Sequence, residues 1–260
     1  MSLIQTYNFK FLYFKFIYRS FFLLGVFYRK ITNHSFFYNK LNELKDIHKG
    51  KRVFIICTGP SLTNDDILLL KNEYTISMNS IVKLTDQLNW EPTYYCIQDL
   101  EVYRNLNNEI KNLKKAKILV GSIVKKYFPK NNRFIYYPID FIDHLHSSYI
   151  KLKTNFSINS FHRVFDGYTV AYSCLQLAVH MGFNKIYFIG IDANYTGNIN
   201  ENNIVPSGKF DPTYNTAGRR INFAFDKANS IIDKKTAQIF NVTRGGKLES
   251  FNRKKIEDIL

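Results

Sequence analysis

The sequence predicts an α/β fold: one Rossmann-like domain with a mostly parallel sheet, a lid-like insertion and an N-terminal aromatic and basic helical segment. Three observations carry this. Short, almost wholly apolar runs recur, each with the length of a strand covered on both faces of a parallel sheet. At least one intervening segment has clear helical periodicity. Polar side chains close four of the runs, at Thr58, Asn79, Gln98-Asp99 and Asp192, and so collect on one predicted sheet edge. In open parallel sheets the ligand lies beyond that carboxyl edge, so a polar pocket is expected there.

The stretch from Asp166 to Tyr195 (DGYTVAYSCLQLAVHMGFNKIYFIGIDANY) organises the rest. Asp166-Gly167 is a turn, and Thr169 is placed to cap a helix whose apolar positions are Val170, Cys174, Leu177, Ala178 and Met181. Gly182 stops that helix, and Ile186 to Ile191 reads as a buried strand. A buried core accounts for the helix and strand but poorly for Asp192, Asn194 and Tyr195, which become candidates for the site. Asp192 also suits a structural cap.

Residues 1–48 form a separate N-terminal segment and 49–260 the compact domain. The segment is crowded with Phe and Tyr, carries Lys10, Lys15, Arg19, Arg29 and Lys30, and has no acid before Glu43. Its longest uncharged run, Ser20 to Tyr28, is far short of the roughly 20 residues that span a bilayer. It fits a helix lying in the headgroup region of an anionic membrane face, with packing on the domain or on a second subunit as the other reading.

The domain opens with a strand at Lys51–Cys57 that runs into Thr58, Gly59, Pro60 and Ser61. Ser61 or Thr63 can cap the next helix, with Asp65 and Asp66 in its first turn. A tight glycine turn between strand and helix places backbone N–H groups where they can hold a phosphate or ribose. With one glycine it is neither a Walker loop nor G-x-G-x-x-G. Further strands are read at Tyr74–Met78, Thr93–Ile97, Ile118–Gly121 and Phe134–Tyr137. Asp140, Asp143, His144 and His146 match no strict metal spacing and read as a solvated helix or loop. Ser147–Phe165 reads as a loop over the pocket, with Arg163 placed to meet an anion. Thr196–Gly218, rich in Asn, Gly, Pro and Thr, is the lid-like insertion. A helix from Arg219 to Lys235, a strand at Ala237–Val242 and an amphipathic end complete the chain.

The formal charge of +15 calls for an acidic partner. No recognition helix or RNP pattern supports nucleic acid, which leaves a nucleotide phosphate or an anionic membrane. Cys57, Cys96 and Cys174 are too few for a disulfide framework and are expected as buried free thiols.

CTGPSL after the first strand, the central block and IFNVTRGGKLESFNRKKIEDIL at the end together resemble the bacterial domain related to 6-hydroxymethylpterin pyrophosphokinase, which also occurs in motility-associated glycosylation proteins. The first two blocks also resemble glycosyltransferase family 42, sialyltransferases that use CMP-sialic acid. The resemblance implies a nucleotide-sugar domain with its donor at the strand ends. Gly59, Pro60 and Ser61 match the family loop directly and Thr58 replaces an Asn; Asn79 and Gln98 stand at nucleotide contacts, and Tyr195 near a tyrosine that assists the departing phosphate. Cys57 replaces the loop's first glycine, and no His follows His180 where the family has its base.

The expectation is therefore an inverting glycosyltransferase that moves an acidic, CMP-activated sugar to a cell-surface glycan at the cytoplasmic membrane face. It would need no metal and is open to homo-oligomerisation. Asp99 or Asp192 would replace the missing base. Thr58, Gly59, Pro60, Ser61, Asn79, Gln98, Arg163, Gly167, Thr169, Asn194 and Tyr195 would hold the donor. The alternatives are a pterin diphosphokinase-like enzyme with ATP and Mg²⁺, and a non-catalytic basic module that binds membrane or nucleotide.

Overall fold

The computed structural model describes residues 3–128, 133–146, 151–198, 201–206 and 214–260, with 3–12 and 145–146 as backbone only. Strands β1 (Arg52–Ile56), β2 (Thr75–Met78), β3 (Tyr94–Ile97), β4 (Lys117–Gly121) and β5 (Phe134–Tyr137) fall where apolar runs predict them. With β8 (Lys185–Ile189), β9 (Gln238–Asn241) and β10 (Asn252–Arg253) they build one eight-stranded sheet, in the order β10-β9-β8-β1-β2-β3-β4-β5. Every pairing in it is parallel. β6 (Ile139–Asp140) and β7 (Val164–Phe165) form a small separate pair.

The central strands β1, β2, β3, β4 and β8 are almost wholly buried because both faces are covered, while β9 and β10 at one edge are more exposed. Along β1, Val53, Ile55 and Cys57 point to one core and Phe54 and Ile56 to another. On the first side lie α6 (Val170–His180) and α7 (Tyr214–Ile231); on the second lies α3 (Asn64–Leu69). α4 (Leu100–Asn112) covers β3 and β4 through Val102, Leu106 and Ile110.

α6 is the central helix, and every residue in it is buried, beyond the single face its periodicity marks. Of its buried polar residues, Gln176 accepts from the Ser157 and Phe165 amides and donates to the Phe165 and Tyr172 carbonyls. His180 Nε2 lies 2.9 Å from the Leu41 carbonyl, and Leu41 and Leu44 belong to the same core. The three cysteines are buried and free, as expected.

Several segments differ from the sequence expectation. Asp140, read with Asp143, His144 and His146 as a solvated helix or loop, is buried in β6. α7 begins at Tyr214 and ends at Ile231, earlier at both ends than the predicted Arg219–Lys235. The chain end, read from the sequence only as amphipathic, is β10 and one 3₁₀ turn, Ile256–Asp258. Within Ser147–Phe165, residues 147–150 lie outside the described part, and Val164–Phe165 forms β7 instead of loop.

The N-terminal segment is a helix, α1 (Leu3–Thr32), and the short α2 (Asn39–Asn42) follows it. α1 docks on the domain through Tyr18, which packs on Phe141, and through Arg29, which donates to the His162 carbonyl. No helix among the described residues is long and apolar enough to cross a membrane.

Candidate active site

β2 to β5 lie in succession on one side of β1, while β8 to β10 lie on the other, so the strand order reverses between β1 and β8. In such sheets the loops leaving the two central strands diverge and open a crevice at their carboxyl ends. A cleft of about 520 Å³ lies there. Thr58, Gly59, Asn79, Asp99, Thr169, Asp192, Asn194 and Tyr195 line it, which gathers eight of the residues that sequence reasoning assigned to the site.

Pro60, Ser61, Gln98, Arg163 and Gly167 are not among the lining residues. Ser61 stands behind the wall. Its hydroxyl donates to Asp192 Oδ2 at 2.8 Å and its amide approaches the same oxygen at 3.4 Å. The Gly59 amide donates to the Gly190 carbonyl at 2.7 Å. Both amides expected to hold a phosphate are therefore engaged within the scaffold. A Cβ on Gly59 would come within 1.9 Å of Asp192 Oδ2, so glycine is required here by the approach of the β8 loop. At Gly167, φ is +55° and a Cβ would meet the Tyr172 ring at 2.1 Å. Arg163 turns away from the cleft, with Nε 3.4 Å from Asp140 and its guanidinium over Phe22 of α1.

The two carboxylates proposed as bases are both held. Asp99 caps α4, accepting the Glu101 and Val102 amides on Oδ1. Asp192 is half-buried, and burial pushes its carboxyl above the usual range against the Ser61 hydrogen bonds that lower it. Its backbone is braced from behind: the Lys247 amide donates to its carbonyl, and Gly246 passes so close that a Cβ would sit 2.9 Å from its Cα. The C-terminal TRGGKL turn forms this brace. Arg253 gathers the carbonyls of Thr243, Gly245, Gly246 and Leu248, and Arg244 pairs in bidentate fashion with Asp66 at the start of α3.

Among the lining residues that sequence reasoning left outside the site are His144, Tyr168 and Arg220. His144, in the short α5 (Ile142–His146), brings Nδ1 to 2.6 Å from Asp166 Oδ2. Asp166 also accepts Gln98 Nε2 at 3.1 Å and the Tyr168 amide at 3.1 Å. Gln98 in turn accepts the buried Tyr137 hydroxyl at 2.9 Å. This chain runs from the core beneath the sheet edge to an imidazole in the cleft, with Gln98 as its central link. Arg220 is the one Lys or Arg among the described lining residues, and its guanidinium lies 5.9 Å over the Tyr168 ring. The first turn of α6, Thr169 to Ala171, faces the cleft with the positive end of its helix dipole.

Backbone strain concentrates here as well. Among the described non-glycine residues with positive φ, Asn79 (47°), Tyr168 (67°) and Ala193 (49°) all line the cleft. Tyr168 and Ala193 are the two that are neither Asn nor Asp, the types that tolerate this region. Strain of this kind persists where surrounding structure enforces it, and it clusters at functional sites.

The insertion meets the cleft on its β1 side. Asn203 Oδ1 accepts the Thr58 hydroxyl, the Ile204 amide donates to the Thr58 carbonyl, and Lys83 reaches the Pro206 carbonyl. No three His, Cys, Asp or Glu side chains converge among the described residues in a way that would hold a metal.

A family model described as 6-hydroxymethylpterin diphosphokinase MptE-like matches residues 28–198. The match holds β1 to β8 and Asp192, and stops before α7, β9 and β10. Comparison with curated proteins gives no match. Among solved structures, the chain is similar to the MAf glycosyltransferase from Magnetospirillum magneticum AMB-1, at 18% identity and a TM-score of 0.49. That likeness covers 82% of this chain and 37% of the other, so the chain spans well under half the length of that protein.

Proposed function

Because the chain belongs to the 6-hydroxymethylpterin diphosphokinase MptE-like family, we propose that it is a transferase acting on a nucleotide-activated donor, and specifically an inverting glycosyltransferase that uses a CMP-activated acidic sugar. The observation that carries the reading is the His144–Asp166 pair at the rim of the switch-point cleft. A carboxylate on one imidazole nitrogen fixes ring and tautomer, the arrangement that equips histidine as a general base near neutrality. Asp99 and Asp192, the bases expected from the sequence, are held by hydrogen bonds within the scaffold and are reassigned here to support.

In the proposed step an acceptor hydroxyl attacks the anomeric carbon of the donor. The new C–O bond forms as the bond to the nucleotide phosphate breaks. The bond's electron pair leaves with the phosphate, and the hydroxyl proton passes to His144 Nε2. Arg220, Tyr195 and the α6 N-terminus meet the negative charge that builds on the phosphate, the task the engaged Gly59 and Ser61 amides do not perform.

The second reading, phosphoryl transfer from ATP, is favoured by the diphosphokinase for which the family is described. It implies Mg²⁺. The cleft carboxylates Asp99 and Asp192 are each fixed by donors of the protein, and no third ligand converges on them among the described residues. Mg²⁺ would therefore have to be held by one or both of these carboxylates together with the nucleotide phosphates.

A thermal-shift comparison of CMP, UDP, GDP and ATP, each with and without Mg²⁺, separates the readings. Stabilisation by CMP without metal is the expected result. Stabilisation by ATP with Mg²⁺ alone would transfer the assignment to the second reading, and no stabilisation by any of them would remove the cleft as a nucleotide site.

A further inference from the structure

α1 packs on the domain with its polarity reversed. The stripe that faces the protein includes Lys15 and Arg29, both buried to 7% exposure, together with Tyr18, Phe22 and Val26. The opposite face carries large apolar side chains in the open: Phe14, Phe16, Phe21, Leu24, Phe27 and Ile31 are 58–71% exposed. At 3.6 residues per turn these six positions sweep about half the helix circumference. Exposed Arg19 and Lys30 lie along one border of that arc. Phe36 and Phe37 extend the apolar surface past the helix end, at 76% and 44% exposure.

We propose that this face of α1 is a membrane-docking surface, with the anionic headgroup region of a lipid bilayer as its occupant. A contiguous apolar arc this wide is unusual on a protein surface and marks an interaction site. Charge selects the partner. Residues 1–42 contain six Lys or Arg and no acid, on a chain of net charge +15. A second copy of α1 would offer no carboxylate to pair with Arg19 or Lys30 and would bring like charges together. An anionic leaflet supplies the complementary charge, and Phe, Leu and Ile then enter the acyl boundary beside basic groups that meet the phosphates. The length and polarity of α1 suit lying in the interface, since no described helix can cross. Docking would also place the bilayer near the cleft, because Tyr18 of α1 packs on Phe141 at the start of the segment that carries His144.

The test uses the full chain, because Arg29 ties α1 to the domain and deletion would uncover Asp140 and Arg163. Vesicles of phosphatidylcholine alone and with phosphatidylglycerol are floated with the wild type and with a Phe21→Ser/Leu24→Ser/Phe27→Ser variant. A separate Phe27→Trp variant reports insertion by its fluorescence. Expected are binding to the anionic vesicles only, weakening with salt, and a blue shift of the new Trp. Partitioning of the triple variant should fall by about a hundredfold, since three large apolar groups no longer enter lipid, while its melting temperature stays that of the wild type. Absent or unchanged binding, or no blue shift, would overturn the proposal. So would a wild-type dimer that the triple substitution converts to monomer without any vesicle binding.

Discussion

The Ser61 hydroxyl and the Asp192 carboxylate meet at 2.8 Å and join the loop after β1 to the loop after β8 where the strand order reverses. Gly59 makes the approach possible, and the Gly59 amide adds a second tie, to the Gly190 carbonyl. The cleft is thus bounded by two loops that hold each other, with the C-terminal TRGGKL turn behind Asp192.

Ser61→Ala removes a donor from a half-buried carboxylate, which should lower stability by about 1–3 kcal/mol in urea unfolding. Gly59→Val places carbon against both Asp192 Oδ2 and the Gly190 carbonyl. Overpacking against backbone should cost at least about 1–3 kcal/mol and abolish nucleotide binding with it. A Gly59→Val protein that melts like the wild type would contradict the close approach of the two loops.

The Asp66–Arg244 pair should set part of the acid limb of stability. Burial pushes Asp66 up, but the Arg244 and Thr63 hydrogen bonds outweigh it and leave the carboxyl below its ordinary value of 3.8. A native value below the unfolded one contributes stability that is full above the unfolded value and is lost as pH falls through the native one. Arg244→Ala should therefore cost about 2–3 kcal/mol at neutral pH, below the range for a fully buried pair because Arg244 is half-exposed. Its deficit should shrink as pH drops below about 3.8. An equal deficit at pH 7 and pH 3, measured by urea unfolding, would show that the ion pair is not the source.

Gln98→Leu separates positioning from contact. The substitution leaves the buried Tyr137 hydroxyl with the weak Cys96 thiol contact and removes a donor from Asp166, so stability should fall by about 1–3 kcal/mol. Turnover should fall while nucleotide affinity holds, since Gln98 does not line the cleft. A loss of affinity with turnover intact at saturating donor would restore Gln98 as a nucleotide contact.

The centre of the sheet was legible because β1, β2, β3 and β8 are buried on both faces and so read as short apolar runs between polar ends, whereas the exposed two-residue β10 carries no such run. The cleft followed from the same runs, since Thr58, Asn79, Asp99 and Asp192 terminate strands that end on one edge. The His144–Asp166 pair was not legible. Its members are 22 residues apart and meet through the pairing of β6 with β7, two strands of two residues each that carry no periodicity. Arg220 escaped for a related reason: the start of α7 contains Asn215, Thr216 and Gly218, poor helix formers that read as insertion. Gly218 is there because a Cβ would meet the Ala193 carbonyl at 2.5 Å, a tertiary requirement that no local pattern shows. The polarity of α1 was also hidden, because its composition fits a helix on a membrane as well as one packed on the domain, and the structure has it docked by a stripe that includes Lys15 and Arg29.

The most direct test of the account is the release of CMP from a CMP-sugar by the wild type and by His144→Gln, with donor affinity measured on both. Removing a general base should slow turnover by about 10²–10⁴-fold. Donor affinity should hold within about twofold, because the base acts on the acceptor's proton. A His144→Gln enzyme that turns over at the wild-type rate with unchanged affinity would contradict the assignment of His144 as the base.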